Sequence, residues 1–155
     1  MEIGIIIVCL ILSAFFSGME IAFVSSNKIY LEIEKKQDDF ISQILTKLTR
    51  KPSKFIATML VGNNIAMVVY GFFMGDLLMR RFETFGLNLT PFSNLLLQTT
   101  VSTLIVLMTS EFLPKVFFQI YANTFIKFFA LPAYFFYRLF YYISSFLIWI
   151  SDYVL

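Results

Sequence analysis

Hydrophobic residues run almost unbroken through three stretches, about residues 3–24, 55–78 and 95–120, each long enough as a helix to cross a hydrocarbon layer of about 30 Å. The first has no positive residue ahead of it to mark a cleavable signal and reads as a signal anchor. Between the first two, residues 25–54 are polar, but Ile41, Ile44, Leu45 and Leu48 recur at helical spacing behind Asp38 and Asp39, which are placed to cap a helix. That pattern predicts one or two short amphipathic helices on the membrane surface, about residues 28–50; a solvated connector is the plainer alternative. Residues 124–155 are apolar enough to span, yet carry Lys127, Pro132, Arg138 and a dense aromatic run. A fourth span and an amphipathic belt sunk into one leaflet compete here, and Arg138 in mid-segment favours the belt. With no linker, repeat or low-complexity stretch, residues 1–155 read as one all-α membrane domain of three transmembrane helices plus juxtamembrane belt helices.

Composition agrees and narrows the chemistry. The chain is 59% hydrophobic and 14% charged, with a mean hydropathy of +0.80. Residues 25–54 hold seven of the twelve basic residues (Lys28, Lys35, Lys36, Lys47, Arg50, Lys51 and Lys54), so this loop is expected in the cytoplasm, with the N-terminus outside and the C-terminus inside a multi-pass plasma (inner) membrane protein. No His and a lone Cys9 exclude the usual Zn2+ ligand sets, a Ser-His dyad and an internal disulfide. No pair of acids sits inside a span, which argues against an intramembrane aspartyl hydrolase, so the chain is expected not to be an enzyme. What remains is oxygen: Ser, Thr, Asn, Glu and backbone carbonyls, the ligand set of hard cations. No nucleic-acid partner is expected, and the surroundings are membrane lipid.

The polar residues inside the apolar stretches are therefore the candidates. Glu111 ends the third; a charge at membrane depth costs about 2.5–3.5 kcal/mol on insertion scales, so such groups face a bundle interior, a cavity or an ion path. Pro114, three residues on, lacks the N–H that would bond the Ser110 carbonyl, which is expected to lie free beside Glu111. In the first stretch Ser13, Ser17 and Glu20 share one helical face; the serines read equally as small packing residues, and Glu20 as an acid reaching water. In the second, Gly62, Asn63 and Asn64 interrupt the run. A buried Asn is more often interhelical glue than a ligand, but Gly62 allows a backbone or an ion to come close. Thr100, Thr103, Leu107, Ser110 and Glu111 fall near one stripe, which is expected to face the Ser13/Ser17 and Asn63 faces.

Three segments in order, Leu12-Ser13-Ala14-Phe15-Phe16-Ser17-Gly18-Met19-Glu20-Ile21-Ala22, Leu60-Val61-Gly62-Asn63-Asn64 and Glu111-Phe112-Leu113-Pro114-Lys115, resemble the transmembrane domain of the CorC/cyclin M (CNNM) family of magnesium transporters, over essentially the whole chain. The resemblance implies a homodimer with three spans and a belt in each protomer, and Mg2+ efflux driven by Na+ entry. It also implies a Mg2+ site between the helices. Carried over by position, it nominates Ser13, Ser17, Asn63 and Glu111, with carbonyls from Gly62 and Ser110, and leaves Pro114, Gly18, Glu20 and Asn64 as helix-break, gating or packing positions. Family members usually place Gly before the motif glutamate, where this chain has Ser110. Relatives carry a cytoplasmic CBS pair, absent from these residues, so the chain is expected to be the membrane part of a longer protein. The competing reading is a membrane anchor and dimerisation unit for that module, with any Mg2+ sensed or structural.

Overall fold

The computed structural model describes residues 1–86 and 90–154, and the Asn88 of the connection between the second and third apolar stretches lies outside them. Among the described residues there is no strand. Helix α1 (Glu2–Ser25) is followed by short α2 (Lys28–Lys35) and α3 (Phe40–Thr49), then by α4 (Pro52–Thr84) and α5 (Pro91–Val106). A π-helical turn (Leu107–Phe112) joins α5 to α6 (Leu113–Ile120), and α7 (Ala122–Phe128), α8 (Ala130–Leu139) and α9 (Tyr141–Val154) complete the chain.

Among the described residues, three helical segments are long and apolar enough to cross a membrane: Glu2–Ser25, Pro52–Thr84 and Pro91–Ile120. The second is longer than its apolar stretch, because Pro52 sits in the first turn, where its missing N–H is no loss. Gly86, at φ +67°, supplies the left-handed residue that stops it. Lys54, expected in the solvated loop, thereby falls inside α4 and is only 4% exposed. The C-terminal segment is not one continuous helix: it breaks at Phe129 and Phe140, and α8 and α9 meet at a bend of 71°.

Local capping sets the small helices. Asn27 closes α2 by accepting from the Ile29 and Tyr30 amides, and its own amide donates to Asn123 Oδ1 at 2.9 Å, tying the start of α2 to α7. Lys127 and Glu34 pair at 2.7 Å in the same place, and the Glu34 carboxylate beside Lys127 raises the lysine above its ordinary range. Asp39, as read from the sequence, is the N-cap of α3: its carboxylate accepts from the Ser42 hydroxyl and from the Ser42 amide at 2.8 Å. Those bonds hold the Asp39 carboxyl below its ordinary range. Their stabilisation is complete above the ordinary carboxylate range and is lost as the pH falls through the depressed value. Asp39→Ala is expected to speed hydrogen exchange of the α3 amides at neutral pH and to make little difference in acid; unchanged exchange at neutral pH would contradict the cap. The predicted α3 stripe is correct, with Ile44, Leu45 and Leu48 buried and Ile41 packed against them.

Two apolar clusters form the interior. One joins Phe16 and Met19 of α1, Phe55 and Met59 of α4, the α2–α3 face, and Ile126, Ala130, Ala133 and Tyr137 of α7 and α8. The other joins Ile6 and Cys9 of α1, Tyr70 and Met74 of α4, and Val106 of α5. Since early α1 meets late α4 and late α1 meets early α4, the two helices are antiparallel. Between the clusters lies the stretch that holds Ser13 on α1 and Asn63 on α4, near the middle of α1.

Candidate metal site

The polar layer is built on this antiparallel pair. Ser13 and Ser17 are each 1% exposed, and the Ser13 hydroxyl donates to Asn63 Oδ1 at 2.6 Å. That bond consumes the serine's one donor but leaves the Asn63 amide nitrogen and both serine lone pairs unspent. Ser17, one turn along α1, has a buried hydroxyl with no hydrogen-bond partner among the described residues. Buried hydroxyls almost always find a partner, so an orphan in a polar layer marks an oxygen available to something else.

The third span enters through its π-helical turn. Fully buried Ser110 donates its hydroxyl to the Leu10 carbonyl of α1 at 3.1 Å, which fixes this turn against α1. The wider turn has its own cause: the Leu113 amide bonds five residues back to Met108, and the nitrogen of Pro114 can serve neither the carbonyl four residues back nor the one five back. Sequence reasoning found the breaker but not the π-turn. The expected polar stripe holds only in part. Thr100 and Thr103 are exposed and Leu107 is 43% exposed, and of the stripe only Ser110 is fully buried. Glu111 is half-buried and lines a cleft of about 240 Å3 with Thr103, Ser102 and Met67, Tyr70 and Gly71 of α4. The Tyr70 hydroxyl donates to the Ser102 carbonyl at 3.1 Å, closing one wall. Met67 was not singled out from the sequence, and Tyr70 only as one of the polar residues of the second apolar stretch, although both repeat the Asn63 face at helical spacing.

These contacts fix relative depth. Ser110 meets the Leu10 carbonyl, which points along α1 toward the turn that carries Ser13, and Ser17 lies one turn further on, about 6 Å along the axis. The oxygens of Ser13, Ser17 and Ser110 thus form a short ladder along one side of α1. Among the described residues no three His, Cys, Asp or Glu side chains cluster, so any metal here is held chiefly by neutral oxygens.

The remaining candidates fall outside this ladder. The space over Gly62 is taken by the Phe16 ring, which a Cβ would meet at 2.6 Å, and Gly18 likewise admits the Phe118 ring at 2.6 Å. Neither glycine breaks a helix, and neither do Glu20, half-buried, and Asn64, exposed: all four lie inside continuous α1 or α4.

Residues 4–155 match the model of the family described as the cyclin M transmembrane N-terminal domain. Among relatives, the UPF0053 inner membrane protein YfjD of Escherichia coli K12 is 30% identical over 110 residues, 71% of this chain and 24% of that protein. A UPF0053 protein of Haemophilus influenzae is 30% identical over 111 residues, 72% of this chain and 24% of its own. The matched region spans about a quarter of the length of these curated relatives.

Proposed function

The chain belongs to the cyclin M transmembrane-domain family, and from that premise we propose that it carries Mg2+ across a membrane along the oxygen ladder between α1, α4 and the π-turn. The observation that carries this reading is the polar layer itself: buried Ser13, Ser17 and Ser110, with Ser13 held by Asn63 and Ser17 without a partner, lying between two apolar clusters. Apolar packing has no use for the unpartnered Ser17 hydroxyl. A hard cation that sheds part of its water has one.

The donor set suits Mg2+ as cargo rather than as a fixed structural ion. One carboxylate, Glu111, leaves a bound Mg2+ with net positive charge, which keeps release feasible. The ion keeps some of its water, which Mg2+ gives up reluctantly, and exchanges protein oxygens as it moves. Ser13, Asn63 and the Ser110 carbonyl serve one level and Ser17 the next, while Glu111, in its cleft beside Met67, Tyr70 and Gly71, supplies the charge at the approach. Na+ entering over the same neutral oxygens is the counter-ion of this reading, with Mg2+ leaving the cell. On this reading the chain lies in the inner membrane with its N-terminus outside, its C-terminus in the cytoplasm, and a second copy beside it. Supporting that topology are the concentration of positive charge in residues 25–54, the inner-membrane name of the Escherichia coli relative, and an α5 whose one buried residue is Val106.

Calorimetry on the purified chain tests the site. Saturable Mg2+ binding is expected, weakened in Ser17→Ala and Asn63→Ala and competed by Na+. Binding equal in wild type and both variants would move the ion elsewhere. A second reading rests on the coverage of relatives: with most of their length outside the match, the domain would serve as the membrane anchor and dimerisation unit of a larger regulatory chain. An anchor binds without transport, and flux separates the two.

A further inference from the structure

Away from the ladder, where α3 and the start of α4 meet α8 and α9, five cations converge on one cavity of about 430 Å3: Lys47, Arg50, Lys51, Lys54 and Arg138. Its other lining residues are tyrosines, and no acid is among them. Among the described residues, none of the five makes an ion pair; the ion pairs present involve Lys35, Arg80 and Lys127.

Lys54 is the telling member. It is 4% exposed, and its ammonium lies 3.0 Å from the centre of the Tyr141 ring and 2.5 Å from Ser145 Oγ. A buried ammonium is ordinarily matched by a carboxylate; here it has a ring face and one hydroxyl. Lys47 lies over the Tyr134 ring at 5.6 Å, so a second cation is oriented the same way. The N-terminus of the long helix α4 opens between Lys51 and Lys54 and adds its own positive end. Lys47 also complements the C-terminus of α3, which explains one of the charges. The positive-inside rule asks only for basic residues in water near the spans. It does not ask for one of them to be buried, or for five to face each other across a cavity with no anion.

We propose that this cavity binds a phosphate group, and that its source is the headgroup of an anionic phospholipid. The phosphate accepts from Lys54 and from the Arg50 and Arg138 guanidiniums, whose planar forks suit its oxygens. The lipid source follows from what adjoins the cavity. Helix α9 runs on from Tyr141 with Tyr142, Phe146 and Trp149 exposed at 83%, 59% and 63%, an apolar aromatic surface against which acyl chains lie. A soluble phosphate compound has no use for that surface.

The test is thermal unfolding of the purified chain in an uncharged detergent, titrated with dioctanoyl phosphatidylglycerol, dioctanoyl phosphatidylcholine or inorganic phosphate, without Mg2+. Phosphatidylglycerol is expected to stabilise saturably and phosphatidylcholine not. Half-saturation should rise about tenfold or more in Arg50→Gln/Arg138→Gln, and Arg50→Lys/Arg138→Lys should retain most of the effect. Both arginines are exposed, so folding survives their loss. Inorganic phosphate acting with the same sensitivity to the variants would overturn the lipid assignment in favour of a soluble ligand. Equal responses to the two lipids, or equal responses of wild type and the glutamine variant, would overturn the site.

Discussion

Glu111→Gln is expected to lower Mg2+ affinity by at least about a hundredfold and to reduce any Mg2+ flux to the level of empty vesicles. The glutamine keeps the shape of the side chain but removes the charge and replaces one of the two acceptor oxygens with an NH2 donor. In the ladder of Ser13, Ser17, Asn63 and Ser110 every other donor is neutral, so the whole formal charge opposing the dication comes from this residue. Removing one partner of a poorly solvated charge pair costs about 3–5 kcal/mol, which corresponds to roughly two to three and a half decades of affinity. Ser13→Ala or Ser17→Ala deletes one neutral oxygen and costs less, at about 0.5–1.5 kcal/mol for a typical hydrogen-bonding group. The order of these effects separates an electrostatic site from a packing role. Should Ser17→Ala prove more damaging than Glu111→Gln, the charge would not be what holds the ion.

The second large effect is on the fold. Phe16 is 2% exposed, its ring edge-on to Phe15 and Phe136 at centroid distances of 5.4 and 4.8 Å and seated over Gly62. Phe16→Ala is expected to cost about 3–5 kcal/mol, since the helices around it are held by their own contacts and cannot close on the space. Gly62→Ala, placing a Cβ 2.6 Å from that ring, is expected to cost about 1–3 kcal/mol by forcing the ring against Phe136 and Phe140. The two are not independent. With the ring gone, a methyl at position 62 lies in the vacated space, so the double variant should be more stable than the sum of the single losses by about 1 kcal/mol or more. Thermal or denaturant unfolding of the four proteins checks this. Additive losses would mean that Phe16 and Gly62 do not meet.

This pair also shows what could be read from the sequence. Gly62 announced a close approach but not by what: an ion, a backbone and an aromatic ring all want the same missing Cβ. The spans, the α3 stripe and the Asp39 cap were legible because each is a periodicity or an end signal contained within one segment. The facing of α1 and α4 was legible too, through Ser13 and Asn63, since a polar group in an apolar helix has few places to go. The third span was harder. A regular helix from 95 to 120 puts Thr100, Thr103 and Ser110 toward the same neighbours, whereas across the π-turn at Leu107–Phe112 Ser110 meets α1 and Thr103 lines the Glu111 cleft with α4. Pro114 signalled a disturbance, but how the chain absorbs a lost bond depends on what it docks against, here the Leu10 carbonyl. Lys54 is the opposite case: it counted as one more loop charge until Pro52 began α4 two residues earlier and carried it under Tyr141.

The claim that this domain moves Mg2+ is tested most directly by flux. Purified chain would be reconstituted into vesicles enclosing a Mg2+-sensitive dye, with a Mg2+ gradient applied and Na+ supplied on the opposite side. The ladder reading predicts a protein-dependent change in internal Mg2+ that saturates with concentration, needs Na+, and is absent in Glu111→Gln. Saturable Mg2+ binding with no flux in vesicles of either Na+ arrangement would contradict it, and would leave the domain as an anchor that holds the ion without carrying it.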